Sequence, residues 1–233
     1  LGLHRMVMTD PEVIFFTTLA TYSFWIGFNA TGPGRNFLWL FYIGMAFAML
    51  TKGPIGVIIP LLAVIPYLTL TRQWKAYFSQ GKPVIGWLLW TLIATPWYLA
   101  MFSIHGADYV AAAQANTTGR FVNSMEGHGF TVLFYLPILL VGFFPWSGFI
   151  PATLFQSLKD WRLYWSRDKH ATGEQGLLLF AALWVIAILV FFTITATRLP
   201  HYILPLFPAA SLLVAVFWAQ SLRQPSSSNL KIS

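Results

Sequence analysis

Four short polar motifs interrupt an otherwise apolar sequence, and their residue types suit proton transfer and anion binding. They are Thr9-Asp10-Pro11, Thr51-Lys52-Gly53-Pro54, the segment 120–128, and the segment 197–202. A charge beside a membrane is costly unless it has a partner or a function. When the apolar segments between the motifs are counted as membrane spans, all four motifs fall on the same side, which predicts one shared site.

Lys52 is the residue of this set best suited to an anion. It lies in a tight Thr-Lys-Gly-Pro connection between two predicted spans. Pro54 would begin a helix whose first amides point to the same surface, so a phosphate could contact both the ammonium group and the helix N-terminus. The alternative is a lysine that only extends to the lipid–water boundary beside a turn.

Asp10 directly precedes the first predicted span. With Pro11 at the first helical position, Thr9 or Asp10 can serve as the N-cap of that helix. A carboxylate near the membrane surface can equally accept a proton or orient a cationic or hydroxylic substrate. The sequence leaves the structural and the catalytic role open.

The long loop 103–130 is too polar to span a bilayer, and loops of this length usually bind something. Residues 107–115 can form a short helix at the membrane interface. The guanidinium of Arg120 suits a phosphate. Glu126 and His128 share a face in an extended chain, but a metal site there lacks a third ligand. A divalent cation therefore stays an open alternative, and no cofactor is predicted.

The last motif places Arg198, His201 and Tyr202 within about one helical turn at the head of the final span. An isolated histidine is more often a buried, hydrogen-bonded structural residue. The neighbouring arginine and the shared face give equal weight to a substrate-binding role.

The amino-acid composition predicts which kind of secondary structure positions these residues. The chain is 57% hydrophobic and only 9% charged, which is far more apolar than a soluble core requires. The expected fold class is an all-α, polytopic transmembrane helical bundle. Since a bilayer core needs roughly 20 apolar residues per helix, seven spans are predicted: 12–30, 37–50, 54–70, 84–102, 131–155, 176–195 and 199–218.

The second span is only 14 residues long in this prediction. If it enters and leaves the membrane on one side, the first helix is inverted relative to the others and Asp10 leaves the shared face. Extending it back to Pro33 restores a full span.

The basic residues give the orientation. Ten of the fourteen Lys and Arg residues fall in one set of loops: Arg35, Arg72, Lys75, Lys82, Lys159, Arg162, Arg167, Lys169, Arg223 and Lys231. Positive charge favours the cytoplasmic side, so the polar motifs are predicted to be extracytoplasmic. Because loop topology explains the net charge of +7, nucleic-acid binding is not expected. The chain has no cysteine, which excludes disulfides and thiolate metal sites.

The domain prediction is simple. Residues 1–223 are expected to form a transmembrane core that carries the extracytoplasmic loop 103–130, and residues 224–233 a polar tail. Because Leu1 falls inside what resembles a loop, the chain is expected to be a fragment of a longer protein.

Several motifs in this order are typical of one known family: Met8-Thr-Asp10, Leu50-Thr-Lys-Gly-Pro54, Arg120-Phe121 with Gly127-His128, Phe134-Tyr-Leu-Pro137 with Phe144-Pro-Trp-Ser147, and Arg198-Leu-Pro-His-Tyr-Ile-Leu-Pro205. On these motifs the sequence resembles the polytopic, GT-C-type glycosyltransferases (families 39 and 83). That family includes the lipid A aminoarabinose transferases and, more distantly, the protein O-mannosyltransferases.

The family implies inverting transfer of a sugar from a polyprenyl-phosphate carrier to a lipid or protein acceptor. The reaction takes place at the outer face of the cytoplasmic (inner) membrane, in cell-envelope modification or protein glycosylation. Asp10 matches a second acidic position of the family and is predicted to be catalytic. Substrate-binding roles are predicted for Lys52, Arg120, Glu126, His128, Arg198, His201 and Tyr202.

The resemblance also sets limits. The principal acidic residue of the family lies in an upstream loop that would precede Leu1, so the chain alone is expected to be inactive. Gly129-Phe130-Thr131 replaces the aromatic-rich stretch common in relatives, which leaves the acceptor open.

Two other functions are compatible with the same polar residues. A transporter or flippase for an anionic polyprenyl-phosphate lipid would also place cations at one membrane face, but it predicts charges or broken helices at the bilayer midplane. A non-catalytic membrane subunit would use the same cations only to bind anionic headgroups, and would tolerate exchange of Arg for Lys.

Overall fold

The computed structural model describes residues 10–119, 132–159 and 173–223. Within these ranges every regular element is helical, which confirms the all-α class. The α-helices are α1 Asp10–Asn29, α2 Phe37–Lys52, α3 Ile55–Leu70, α4 Trp74–Gln80, α5 Pro83–Gln114, α6 Tyr135–Gly142, α7 Ile150–Leu158, α8 Gly173–Ile194 and α9 Phe207–Arg223. Shorter 3₁₀ turns occupy Gly32–Asn36, Val132–Phe134, Trp146–Phe149 and Pro200–Leu206, and a π-helical turn covers Ala115–Gly119.

Three stretches of the described chain are long and apolar enough to cross a membrane: Pro83–Thr117, Gly173–Ile194 and Pro200–Leu222. The number rises to five if each of two sharply bent helix pairs counts as one span. Seven spans are therefore not confirmed. One predicted span that is not in this set is α2, because its 16 residues are fewer than a bilayer core requires.

Two pairs of helices are sharply bent. Helix α3 meets α4 at 119°, and α6 meets the segment Trp146–Leu158 at 116°. The second bend divides the span predicted at 131–155. It coincides with Pro145, which has no N–H to donate to a helical hydrogen bond and ends regular α-helix at this point.

Helices α1 and α2 form an antiparallel pair joined by the 3₁₀ turn Gly32–Asn36. Helical conformation continues from Gly32 to Lys52. The second predicted span, 37–50, therefore extends towards the N-terminus past Pro33, which was the alternative given for it. Asp10, the first residue of α1, and Lys52, the last residue of α2, consequently lie at the same end of the bundle. The inverted arrangement, in which Asp10 leaves the shared face, does not occur.

Packed aromatic rings hold α1, α2, α3 and α8 together. Phe24 of α1 lies with its ring centroid 5.2 Å from that of Phe41 in α2 and 6.1 Å from that of Phe180 in α8. Phe180 in turn contacts Tyr67 of α3 edge to face at 5.3 Å. All four side chains are buried. Offset and edge-on aromatic pairs stabilise beyond the area that they bury, so this cluster fixes the four helices whose ends carry the polar residues.

Helices α2 and α3 approach so closely at Gly56 that only glycine fits. A Cβ atom at this position would lie 2.3 Å from the backbone carbonyl of Ala48. We therefore expect Gly56→Ala to force the two helices apart and to destabilise the protein by about 1–3 kcal/mol. The measurement is the thermal unfolding midpoint of the detergent-solubilised protein.

Gly148→Ala is the matched control for this substitution. A Cβ at Gly148 has no atom within 4 Å, and the residue is exposed. Its unfolding midpoint should equal that of the wild type. A Gly56→Ala protein as stable as Gly148→Ala would contradict the close packing of α2 against α3.

Candidate functional site

Asp10 and Lys52 form an ion pair between the ends of α1 and α2. The ammonium Nζ of Lys52 donates a short hydrogen bond to Oδ1 of Asp10. The two side chains are 30% and 18% exposed, so the pair is partly shielded from solvent. Each charge is therefore compensated in a region where an unpaired charge would be costly.

The local sequence explains where Lys52 lies. Gly53 follows α2 with a φ of 72°, a conformation that favours glycine, and its N–H donates to the carbonyl of Met49. Helix α2 therefore ends at Lys52, and Pro54 leads directly into α3. The amides of Gly56 and Val57 already donate to the carbonyls of Gly53 and Pro54. A phosphate at this turn would consequently depend on the ammonium group of Lys52 more than on these helix amides.

His201 and Tyr202 approach the same ion pair from the 3₁₀ turn Pro200–Leu206. Leu199 is extended, as residues before proline prefer, and the turn contains Pro200 and Pro205. Nε2 of His201 lies 4.0 Å from Oδ1 of Asp10. Nζ of Lys52 lies 5.8 Å from the ring centroid of Tyr202, within range of a cation–π contact.

These four residues come from three separate parts of the chain. As the sequence predicts, Asp10, Lys52, His201 and Tyr202 share one end of the bundle. Their chemical roles stay predictions.

The four residues line the outer end of a cavity of about 390 Å³. The polar residues at this end, near the ends of α1, α2, α5 and α8, include Asp10, Lys52, Asn116, Thr117, His201 and Tyr202. Deeper along the helices the lining is apolar, with Val13, Ile14, Ile58, Ile59, Phe191 and Phe192. The cavity thus offers a charged mouth and an apolar interior, a combination suited to an amphiphilic ligand with a polar headgroup.

Arg198 lies near this site but does not line the cavity. Its Nε and Nη2 atoms both donate to the carbonyl of Thr193, at 3.0 and 2.8 Å. These bonds satisfy a backbone carbonyl in the last turn of α8. In this arrangement the guanidinium holds the turn that carries His201 and Tyr202. The predicted direct contact of Arg198 with substrate stays untested.

The predicted residues Arg120, Glu126 and His128 lie outside the described residues. Among the described residues, no group of three or more His, Cys, Asp or Glu side chains is placed to hold a metal ion. Asn116 and Thr117, which line the cavity from the π-helical turn, are not among the site residues predicted from the sequence. The signal available for them was their place in the predicted extracytoplasmic loop.

Comparison with known proteins shows that the chain is similar to membrane glycosyltransferases. Residues 1–110 match the family described as dolichyl-phosphate-mannose-protein mannosyltransferase. The chain is also 30% identical, over 95% of its length, to an undecaprenyl phosphate-alpha-4-amino-4-deoxy-L-arabinose arabinosyl transferase of Pseudomonas paraeruginosa. The corresponding enzyme of Edwardsiella ictaluri is 31% identical over 92% of the chain.

A solved structure shows the same fold. ArnT from Cupriavidus metallidurans, in a crystal structure with bound undecaprenyl phosphate, superposes with a TM-score of 0.75 at 24% identity. The superposition covers 92% of this chain and 39% of that protein. The apo structure of the same protein superposes with a TM-score of 0.69.

The chain covers only part of each relative. It spans 38% of the Pseudomonas sequence and 37% of the Edwardsiella sequence. The comparison therefore covers the helical region that carries the cavity, and the remainder of each relative lies outside the match.

Proposed function

Because this chain belongs to the GT-C-type membrane glycosyltransferase family of the aminoarabinose and protein mannosyl transferases, we propose that it serves glycosyl transfer from a polyprenyl-phosphate-linked sugar. The acceptor is a lipid or a protein. The relatives are named for transfer of an aminoarabinose from undecaprenyl phosphate. A membrane-embedded lipid donor is accordingly the first to test for this chain, together with the lipid A acceptor that the family resemblance implies.

The observation that carries the proposal is the cavity with Lys52 at its mouth. A polyprenyl-phosphate sugar is amphiphilic, with an anionic phosphate between a sugar and a hydrocarbon chain. The Lys52 ammonium matches the phosphate, and the apolar interior lined by Ile58, Ile59 and Phe191 matches the first prenyl units. An apolar metabolite would not need Lys52, and a free sugar phosphate would not need the apolar depth.

The proposed chemistry is a single inverting displacement at the anomeric carbon. An acceptor oxygen forms a new bond to this carbon as the bond from carbon to phosphate oxygen breaks, and the electron pair leaves with the phosphate. The acceptor proton passes to a base. Negative charge grows on the phosphate during this step, so a fixed cation stabilises the transition state more than the bound donor. Lys52 is the cation that we place there.

Asp10 acts in this scheme as a positioning residue. Its carboxylate binds the Lys52 ammonium, and its Oδ1 lies 4.0 Å from Nε2 of His201, so it holds the cation in place beside the turn Pro200–Leu206. A carboxylate already engaged by an ammonium is better placed to orient that group than to take the acceptor proton. Asp10 thus contributes to transfer by orienting the ammonium group of Lys52.

The chain is a membrane protein, and we place its site at the outer face of the inner (plasma) membrane. The support is the distribution of basic residues. Arg35, Arg72, Lys75 and Lys82 lie by the ends of α1 to α5 that are remote from the Asp10–Lys52 pair. Positive charge at that end favours the cytoplasm. The proposed division into a core at 1–223 and a tail at 224–233 follows the sequence analysis, and the tail lies outside the described residues.

The test is transfer of radiolabelled sugar by the full-length protein in proteoliposomes. Polyprenyl-phosphate-linked donors are supplied with a membrane-extract acceptor pool, and labelled lipid and protein are separated. We expect label in a lipid or protein product that depends on donor and enzyme. Absence of product with every donor, together with movement of polyprenyl phosphate between leaflets, would refute the transferase and indicate a flippase.

A further inference from the structure

The end of α5 bends over the mouth of the cavity. Gly106 interrupts α5 with φ 57° and ψ −136°, a conformation that is accessible in practice only to glycine. Beyond it, residues 107–114 continue as helix and lead into the π-helical turn Ala115–Gly119. The residues predicted as a short helix at 107–115 are therefore helical up to Gln114, but they continue α5 rather than forming a separate helix in a loop that begins at residue 103. The bend brings Asn116 and Thr117 to the cavity that Asp10 and Lys52 line.

Local hydrogen bonds determine what these two side chains offer a ligand. Nδ2 of Asn116 donates to the carbonyl of Ala112 at 3.0 Å, and Oγ1 of Thr117 donates to the carbonyl of Ala113 at 2.7 Å. The hydroxyl hydrogen of Thr117 is therefore occupied, and its oxygen remains as an acceptor. Asn116 keeps its Oδ1 acceptor and one N–H.

Thr195, on another wall of the same cavity, shows the same pattern. Its hydroxyl donates to the carbonyl of Phe192 at 2.7 Å, so its oxygen also remains as an acceptor. Together with the carboxylate of Asp10, the mouth presents several oxygen acceptors beside one ammonium group. Oxygen acceptors repel a phosphate and attract hydroxyl or amine donors.

This chemistry divides the mouth of the cavity into two parts. The ammonium of Lys52 suits the phosphate, and the π-helical turn suits the hydroxyl or amine groups of the sugar next to it. A volume of about 390 Å³ is within the range of small-molecule pockets. It accommodates a single sugar and its phosphate.

We propose that Asn116 and Thr117 are specificity-determining residues that accept hydrogen bonds from the transferred sugar. The proposal rests on the proposed function and deepens it, since it states which part of the donor each wall contacts. The ligand group is a sugar hydroxyl or amine. It is not the phosphate, the prenyl chain or the acceptor.

The test compares donor use with binding of polyprenyl phosphate that carries no sugar. Asn116→Ala and Thr117→Val are made in the full-length protein in proteoliposomes. We measure kcat/KM for the sugar-bearing donor, KM for the acceptor, and the inhibition constant of sugar-free polyprenyl phosphate. Loss of one hydrogen bond to the sugar should lower kcat/KM for the donor about tenfold in each variant. The inhibition constant of polyprenyl phosphate should stay within about twofold of the wild-type value, since that ligand has no sugar to lose a bond.

The chain provides a matched control for each variant. Asn29 donates from Nδ2 to the carbonyl four residues earlier, as Asn116 does, and Thr91 makes the corresponding threonine bond in α5. Neither residue lines the cavity. Asn29→Ala and Thr91→Val should therefore leave kcat/KM unchanged, which separates loss of a sugar contact from loss of a local helix bond.

Three results would overturn the proposal. A parallel rise in the inhibition constant of sugar-free polyprenyl phosphate would assign the residues to the phosphate or the prenyl chain. A change confined to the KM of the acceptor would assign them to the acceptor. Unchanged kinetics would show no contact with either substrate. Failure of the proposed function is distinct from all three, since the wild-type protein would then transfer no sugar.

Discussion

Lys52→Ala is expected to lower kcat/KM for transfer from a polyprenyl-phosphate sugar by about 10²–10³-fold, as removal of one preorganised charge-stabilising group commonly does. Lys52 supplies the cation at the mouth of the cavity, and the phosphate gains negative charge as it leaves. The loss should fall mainly on kcat, because the interaction strengthens in the transition state. The measurement is initial-rate transfer of labelled sugar in proteoliposomes.

Lys82→Ala is the matched control. Lys82 also lies over an aromatic ring, with Nζ 4.9 Å from the ring centroid of Trp39, but it lies at the start of α5, away from the cavity. Its removal should leave transfer unchanged. Lys52→Arg keeps the charge with a different shape and should recover part of the activity. Equal activity of Lys52→Ala and Lys82→Ala would refute the role of Lys52 at the phosphate.

The sequence predicts a shared location for the polar motifs, and the structure brings Asp10, Lys52, His201 and Tyr202 together at one end of the bundle. The count of seven spans behind that prediction is not confirmed, since three to five stretches of the described chain can cross a membrane. The pairing of Asp10 with Lys52 follows from two antiparallel helices joined by a short turn. The motif that carries His201 also reaches the site, because it directly follows α8. Charged residues between apolar segments are thus informative even in a single sequence.

The structure differs from the sequence prediction in its helix bends and in the position of single polar side chains. The amino-acid composition does not show the physical causes of these differences. The bend after α6 occurs at Pro145 and that after α3 at Thr71–Gln73, and neither changes the apolar character of its segment. The position of Asn116 depends on the break at Gly106, which redirects the chain over the cavity. The two hydrogen bonds of Arg198 to Thr193 depend on where α8 ends. Backbone geometry at single residues therefore decides which polar side chains line the cavity.

Asp10→Asn is expected to lower kcat/KM by about 30–100-fold, because the substitution keeps a hydrogen-bond acceptor for Lys52 and removes the charge that holds it. The pair is partly buried, so its attraction is less screened than that of a surface pair. The shape of the pH–rate profile should stay that of the wild type. A positioning residue acts through Lys52 and does not carry the transferred proton.

A double-mutant cycle separates this role from proton transfer. In the Lys52→Ala background the carboxylate has already lost the ammonium that it positions. Asp10→Asn should then lower kcat/KM by no more than about threefold, far less than in the wild type. If Asp10 instead took the proton from the acceptor, Asp10→Asn would lower kcat/KM by the same factor in both backgrounds and would remove the acidic limb of the pH–rate profile. The cycle therefore decides whether the Asp10–Lys52 pair works as one unit, in which the carboxylate holds the cation and the cation meets the phosphate.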